Sequence, residues 1–334
     1  MANTLAEYGY LSTSPILKGI IKTIVKESPF LARMPFREIA GNSLLYNLET
    51  TEAGANWYTT GDTWVESTSV WTQRNVALCI LGGDADVDAF AKQTRSNEQD
   101  VETAVLELKS KAIADEFEKQ AILGYSSTLY TTKQMRGLMH LLAECESTAG
   151  TITDWDDPNN GQIIAAATTS GALTIDLMNE LRDLVKPRPD CFIMSQMMRR
   201  KLESLARGAG NNLQYIPDQR QFGHLITMFG EQEVITSDFI PDNIQDGAAG
   251  IVTIRSYTPT TTRAAGYDNS VIFALRWDEN DGVAGITNVW IKQEPIGNLE
   301  TKDASRTRIK FYCGQACFGI KCLAGLINVI DTAS

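Results

Sequence analysis

The sequence predicts an α+β fold whose body carries long protruding segments. Three features predict it: an extended segment over residues 41–90, a long helix over residues 97–123, and an alternation of short apolar strands with amphipathic helices in the second half of the chain. A chain of 334 residues is long enough for two lobes. Because 43% of the residues are hydrophobic and 21% are charged, we expect a packed protein and not a disordered one.

The first predicted element is a helix that begins at Ser14 and ends before Pro29, since a proline disfavours helical backbone in the residue that precedes it. Its apolar stripe includes Ile16, Ile20 and Ile24 at helical spacing. Two interpretations remain open. The helix is either packed on its own core or forms an arm that docks on another chain.

Residues 41–90 are interpreted as one long β-hairpin with a tip rich in glycine, threonine and asparagine. A two-stranded ribbon is marginally stable alone in water, and this one carries Trp57, Trp64 and Trp71. These rings pack either against the body of the same chain or against a neighbouring subunit.

The helix that follows has clear signals at both ends. Ser96 and Gln99 form a capping box at its start, and Gly124 is expected to end it. A helix over residues 97–123 is a rod on the order of 40 Å long. A helix of this length is longer than a small domain requires, so we expect it to be a central structural element of the fold.

The charge balance disfavours direct nucleic-acid binding. The chain has 30 basic and 41 acidic residues and a net charge of −11, whereas a protein that neutralises phosphates is basic. The hairpin contains Glu49 and Glu52, and the last long strand contains Arg306 and Arg308. We expect the hairpin of one subunit to lie over this basic region of the next, with the opposite charges setting the register.

Signals for a membrane, a disulfide framework or a metal are missing from the sequence. No stretch of 18 apolar residues is present, so we expect no membrane contact. The six cysteines include no C-x-x-C pair and are expected to be free, mostly buried thiols. The spacing of Cys313, Cys317 and Cys322 fits no common zinc pattern.

The motifs of common catalytic sites are also missing. The sequence has no phosphate loop, no dinucleotide-binding glycine motif, no G-x-S-x-G and no H-E-x-x-H. Asp84, Asp86 and Asp88 lack the rest of a calcium loop, so they are interpreted as a solvated or partner-facing strand face. Ser195 follows an apolar strand and is expected to cap a helix. We predict no catalytic, cofactor-binding or metal-binding residue.

In their order, these parts resemble the major capsid proteins of tailed bacteriophages with the HK97-like fold. Besides the arm, hairpin and long helix, the similarity is carried by Lys133–Leu138, Cys191–Ser195, Leu225–Gly230 and Val234–Pro241. The resemblance implies an N-terminal arm (1–40), an E-loop hairpin with its base (41–92), a P domain (93–162) with a spine helix over 97–123, an A domain (163–288), and C-terminal strands that return to the P domain (289–334).

The resemblance implies a structural shell subunit and not an enzyme. Such a subunit assembles with itself into pentamers and hexamers of an icosahedral virion that encloses double-stranded DNA without tight specific binding. Portal, scaffolding or decoration proteins are further implied partners, and assembly in the host cytoplasm is implied. Since the arm begins close to Met1, we expect scaffolding to be a separate protein or a segment already removed.

Two alternatives to a phage capsid remain open. An encapsulin-type nanocompartment shell has the same fold, and an enzyme of unidentified type is the alternative from another class. In a shell, the residues expected at contacts between subunits are Ile16, Ile20, Ile24, Trp57, Trp64, Trp71, Glu49, Glu52, Arg306 and Arg308.

Overall fold

The computed structural model describes residues 29–51, 53–89, 101–124, 133–146, 161–167, 171–208, 214–217, 225–240 and 269–330. The first predicted helix, with Ile16, Ile20 and Ile24, lies outside the described residues, and so does Glu52.

The α-helices in the described residues confirm the amphipathic helices predicted in the second half of the chain, including the one after Ser195. Thr174 accepts a hydrogen bond from the backbone N–H of Leu177, and Ser195 Oγ accepts one from the N–H of Met198 at 3.3 Å, as expected of N-caps. The helices are α1 (Pro29–Arg33), α2 (Val101–Leu123), α3 (Leu138–Glu146), α4 (Ile175–Leu184) and α5 (Gln196–Gly208).

The strands lie in two larger sheets and one isolated hairpin. They are β1 (Phe36–Glu38), β2 (Ser43–Thr51), β3 (Val70–Ala77), β4 (Cys79–Asp88), β5 (Ile163–Ala165), β6 (Gly171–Ala172), β7 (Cys191–Met194), β8 (Gln214–Pro217), β9 (Leu225–Phe229), β10 (Gln232–Thr236), β11 (Ser270–Leu275), β12 (Val283–Thr287), β13 (Lys292–Asn298), β14 (Ala304–Cys317) and β15 (Leu323–Ile330).

The five-stranded sheet is organised around β14. Strand β4 pairs antiparallel along one edge of β14, from Ala304 opposite Asp88 to Cys313 opposite Cys79. Strands β13 and β12 follow each other along the other edge, and β1 pairs with β12. The sheet thus joins residues from both ends of the described chain.

This pairing corrects the predicted extent of the hairpin. Only β2 and β3 form it, and the N–H of Leu78 closes its base on the carbonyl oxygen of Asn42. The chain then leaves the hairpin as β4. The sequence pattern of residues 41–90 is that of one continuous hairpin. The pairing partner of β4 lies more than 200 residues further along the chain, and local sequence patterns cannot reveal such a distant partner.

The eight-stranded sheet has the order β5-β15-β11-β7-β10-β9-β8, with β6 also pairing with β15. Strand β15, the last in the described chain, pairs antiparallel with β11 in this sheet. Strand β12 pairs with β14 in the five-stranded sheet. Strands buried in either sheet have the same apolar composition, so the sequence does not distinguish their destinations.

Strand β11 separates two hydrophobic cores. Phe273 and its neighbours at alternate positions face the core that α2, α3 and the five-stranded sheet fill. Ile272 and Ala274 face the second core, which contains Met178 of α4 and Leu202 of α5. This period of two is what a strand covered on both faces requires.

Gly124 follows α2 directly, as predicted, but for a different physical reason. A Cβ at Gly124 would collide with the backbone of Gln120, Met135 and Gly137. The N–H of Gly137 donates a hydrogen bond to the carbonyl oxygen of Gly124 at 2.8 Å. The glycine is therefore required by close contact between two backbone segments.

Candidate interaction surface

The hairpin presents large apolar side chains to solvent. Among the residues that the structure describes, Trp57 is fully exposed, Trp64 is 78% exposed and Trp71 is 70% exposed. Val65 and Val70 add further apolar surface in the same segment. Within the described residues, the body of the same chain does not cover these rings, and their contact with a neighbouring subunit stays a prediction.

The loop of the hairpin is ordered by its own contacts. Tyr58 stacks on Trp64 with ring centroids 4.3 Å apart, and its hydroxyl accepts a hydrogen bond from the N–H of Val65 at 3.0 Å. Asp62 accepts hydrogen bonds from the N–H and hydroxyl of Thr59. These hydrogen bonds lower the pKa of Asp62. The loop therefore presents its aromatic rings in a defined arrangement.

A groove of about 550 Å³ lies beside the ring of Trp71, lined by Ala53, Ser67, Thr68, Ser69 and Trp71 itself. Ser69 accepts a hydrogen bond from the indole N–H of Trp71 at 2.9 Å. Glu49 is exposed in strand β2, directly opposite Trp71 in the register. The surface thus combines apolar rings with an acidic edge.

A buried network of charges holds the base of the hairpin. Arg74 of β3 donates a hydrogen bond to the backbone carbonyl oxygen of Glu144 in α3, and its guanidinium lies 3.7 Å from the carboxylate of the same residue. Arg136 and His140 contact that carboxylate at 2.7 Å and 2.9 Å. Arg74 and Glu144 are about nine-tenths buried. The hairpin is therefore fixed to helix α3 through groups that water barely reaches.

The protonation state of Glu144 follows from these neighbours. Burial by itself raises the pKa of a carboxyl group, but the hydrogen bond from His140 and the positive charges of Arg136 and Arg74 outweigh it. The pKa of Glu144 is consequently lowered, and the carboxylate is ionised at neutral pH.

Apolar contacts reinforce the same base. Val76 of β3 packs with Ile286 and Ala316 in a small core, and the ring of Tyr46 lies 5.1 Å from that of Phe318. The Tyr46 hydroxyl is buried with no hydrogen-bond partner among the described residues, and burial is the main cause that raises its pKa. The base of the hairpin is thus anchored to the body of the subunit, whereas its tip is exposed to solvent.

The predicted basic region of β14 is paired within its own chain. Arg306 donates two hydrogen bonds to Asp86 at 2.6 and 2.7 Å, and Arg308 donates two to Asp84 at 2.6 and 2.9 Å. Hydrogen bonds from these arginines lower the pKa of both carboxyl groups. Lys310 similarly contacts Glu294. Asp84 and Asp86 are therefore ion-pair partners on a strand face, which the sequence interpretation did not foresee.

This pairing changes the charge that β14 offers to a neighbour. Arg306, Arg308 and Lys310 each already face an acidic side chain of their own chain. Contact of Arg306 and Arg308 with a second subunit remains a prediction. Its electrostatic part is weaker than the sequence indicates, because the guanidinium groups are largely neutralised.

The hairpin-base network was not found by sequence reasoning. No sequence pattern connects Arg74 with Glu144, which are 70 positions apart. The spacing of four between His140 and Glu144 on a helix is the one signal that pointed to part of it.

The described residues offer little else that could serve as a chemical site. No three or more of their histidine, cysteine and acidic side chains are arranged to hold a metal ion. None of the described helices combines the length and apolar character needed to cross a membrane.

Comparison with known proteins identifies the fold. No protein-family model matches the chain, and no curated protein matches it. Solved structures do. The SrpI encapsulin of Synechococcus elongatus PCC 7942 is 17% identical with a TM-score of 0.64, and the match covers 93% of this chain and 90% of that one.

Two further solved structures agree with that match. The capsid of an empty GTA particle is 12% identical with a TM-score of 0.62 over 91% of this chain and 90% of that one. A protein of Microbacterium phage Oxtober96 is 14% identical with a TM-score of 0.55 over 90% of both chains. The chain therefore has the HK97-like capsid fold, an α+β fold of shell-forming proteins, as the sequence predicted.

Proposed function

We propose that this chain is the major capsid protein of a tailed bacteriophage, which assembles into pentamers and hexamers of an icosahedral shell around double-stranded DNA. The observation that carries the proposal is the hairpin. Its tip exposes Trp57, Trp64 and Trp71, while its base is held by the buried contact of Arg74 with Glu144. An apolar surface on a fixed protrusion is a surface for a partner, and in a shell that partner is a second copy of the chain.

The charge of the chain supports a container for DNA. A net charge of −11 opposes tight binding of the duplex, which suits a shell that has to be filled without trapping its content. The predicted division into arm, E-loop, P domain, A domain and C-terminal strands belongs to this proposal. Portal, scaffolding or decoration proteins are proposed as further partners, the virion as the location, and the host cytoplasm as the place of assembly.

The second candidate is an encapsulin-type shell that encloses protein cargo. The match to the SrpI encapsulin, with a TM-score of 0.64, favours it. Both candidates use the chain as a structural subunit without catalytic activity. They differ in what the shell contains.

Electron microscopy of particles recovered from the native producer, combined with extraction of nuclease-resistant nucleic acid, distinguishes the candidates. Shells that contain double-stranded DNA and carry a tail at one vertex support the capsid. Shells that contain a co-purifying protein and no DNA support the encapsulin alternative. A chain that stays a monodisperse monomer at high concentration contradicts both.

A further inference from the structure

Three cysteine side chains meet where the chain passes from one large sheet to the other. Cys317 is the last residue of β14, and Cys322 ends the short 3-10 helix Ile320–Cys322 that leads into β15. Cys145 approaches them from helix α3. All three thiols are buried and free.

The contacts between the sulfur atoms are unequal. The Sγ atoms of Cys317 and Cys322 are 2.9 Å apart, whereas those of Cys145 and Cys317 are 3.5 Å apart. The thiols of Cys317 and Cys322 also both donate to the carbonyl oxygen of Gly319, at 3.1 and 2.9 Å. A disulfide has an S–S bond of about 2.05 Å, so the first pair needs to approach by less than about 1 Å.

We infer that Cys317 and Cys322 are a disulfide-forming pair that closes the loop Phe318–Lys321, with Cys145 left as a free thiol. The reaction needs a small disulfide as co-reactant, for which glutathione disulfide is the chemical class. One cysteine thiolate attacks this disulfide and releases one thiol, and the second cysteine displaces the other. Both cysteine protons leave, both sulfur atoms are oxidised, and the co-reactant is reduced to two thiols.

The closed loop lies at a structural junction. Phe318 packs against Tyr46 of the hairpin base, and the guanidinium of Arg37 lies 5.7 Å from the centre of its ring. A disulfide across this loop therefore fastens the connection between β14 and β15 beside the point where the hairpin is anchored. The inference concerns the subunit alone and stands or falls independently of the proposed shell.

The environment makes the reaction slow in the native state. Hydrogen bonds with Cys145 and Cys322, together with burial, hold the pKa of Cys317 well above its usual value. A protonated thiol is a poor nucleophile, so attack requires opening of the loop. Lys321 is exposed and Gly319 is half-buried, so the opening involves a short surface segment.

Peptide mapping tests the inference directly. Purified protein is incubated with glutathione disulfide, quenched with acid, alkylated in denaturant and digested with trypsin without reduction. Trypsin cuts after Lys310 and Lys321, which separates Cys317 from Cys322. We expect a linked pair of peptides, 311–321 with 322–334, that separates on reduction, and a faster reaction in mild denaturant.

Variants assign the bond. Residues 311–321 also contain Cys313, so the linked pair must persist in Cys313→Ala and disappear in Cys317→Ala. Cys145→Ala and Cys191→Ala, which are equally buried, should keep it. If Cys317→Ala fails to fold, fragmentation of the linked wild-type peptides assigns the sulfur atom instead. A link that involves Cys145 or Cys313, glutathione adducts alone, or six alkylated thiols after oxidation overturns the inference.

Discussion

Arg74 in strand β3 and Glu144 in helix α3 join the protruding hairpin to the body of the subunit through both the backbone carbonyl oxygen and the carboxylate of Glu144. The two residues are 70 positions apart in the sequence. A protrusion that has to present its tip in one direction needs such a fixed base, because two strands alone bend and twist easily.

Replacing Arg74 with methionine should weaken this base. The change keeps much of the side-chain volume but leaves a buried carbonyl oxygen without its donor, which costs about 1–3 kcal/mol of the free energy of unfolding. Denaturant unfolding followed by circular dichroism measures it. Arg188→Met is the matched control, since Arg188 pairs with Glu231 at the exposed surface, where an ion pair contributes about 0–1 kcal/mol. Equal losses in both variants would contradict the buried anchor.

The stability of the protein should depend on Glu144 in acid. Its pKa is lower in the folded state than the ordinary 4.5, so its ionised form stabilises the fold above that value, and the contribution disappears as the pH falls through the folded pKa. The free energy of unfolding of the wild type should therefore exceed that of Glu144→Gln at neutral pH, and the difference should shrink below about pH 4. A difference that does not change with pH would refute this assignment.

The contribution of the ion pair between Arg306 and Asp86 to stability should be detectable by reversing the charge of one residue and then of both. Arg306→Glu places two negative side chains opposite each other on β14 and β4, and should lower the unfolding midpoint. Adding Asp86→Arg restores opposite charges and should recover most of the loss. If the double variant is stable but fails to assemble, Arg306 also contacts a second subunit. If the single variant unfolds like the wild type, the ion pair contributes nothing.

Removing the exposed indole of Trp57 should affect assembly and leave the subunit intact. Because Trp57 is fully exposed, Trp57→Ser should change the free energy of unfolding by no more than about 0.5 kcal/mol. Sedimentation should show fewer shells or capsomers, while Trp57→Phe, which keeps an aromatic ring, should assemble. Normal shells from the serine variant would exclude Trp57 from the contact.

Mature particles should be free of lysine-mediated cross-links through the hairpin. No lysine occurs between Lys26 and Lys92, and the guanidinium of an arginine such as Arg74 is a poor nucleophile. Boiled and reduced particles should give one band near 36.8 kDa on a denaturing gel. A ladder of higher multimers that survives reduction would show a different linkage.

Local features of the fold were readable from the sequence. The strand at Cys191–Met194 and the cap at Ser195 lie where their patterns place them. Each depends on neighbours within a few residues. The exposure of the tryptophans could not be predicted in this way, because it depends on which distant parts of the chain lie beside the hairpin.

Pairing between distant segments was not readable. Asp84 and Arg308 are 224 positions apart, so the acids of β4 looked like a solvated face. The same limitation made β4 look like part of the hairpin, although it pairs with β14. The apolar residues of a strand allow its burial to be predicted, but they do not identify the strand that pairs with it.

The position of β14 and β15 late in the chain governs the order of folding during synthesis. Strand β4 finds its partner only when β14 has been made, and the central strand β11 finds one of its two neighbours only when β15 has been made. A nascent chain therefore carries both sheets unfinished until about residue 330 leaves the ribosome. The hairpin itself is made early, but Ala316 and Phe318, which pack at its base, are made late, so its anchoring is completed only near the end of synthesis.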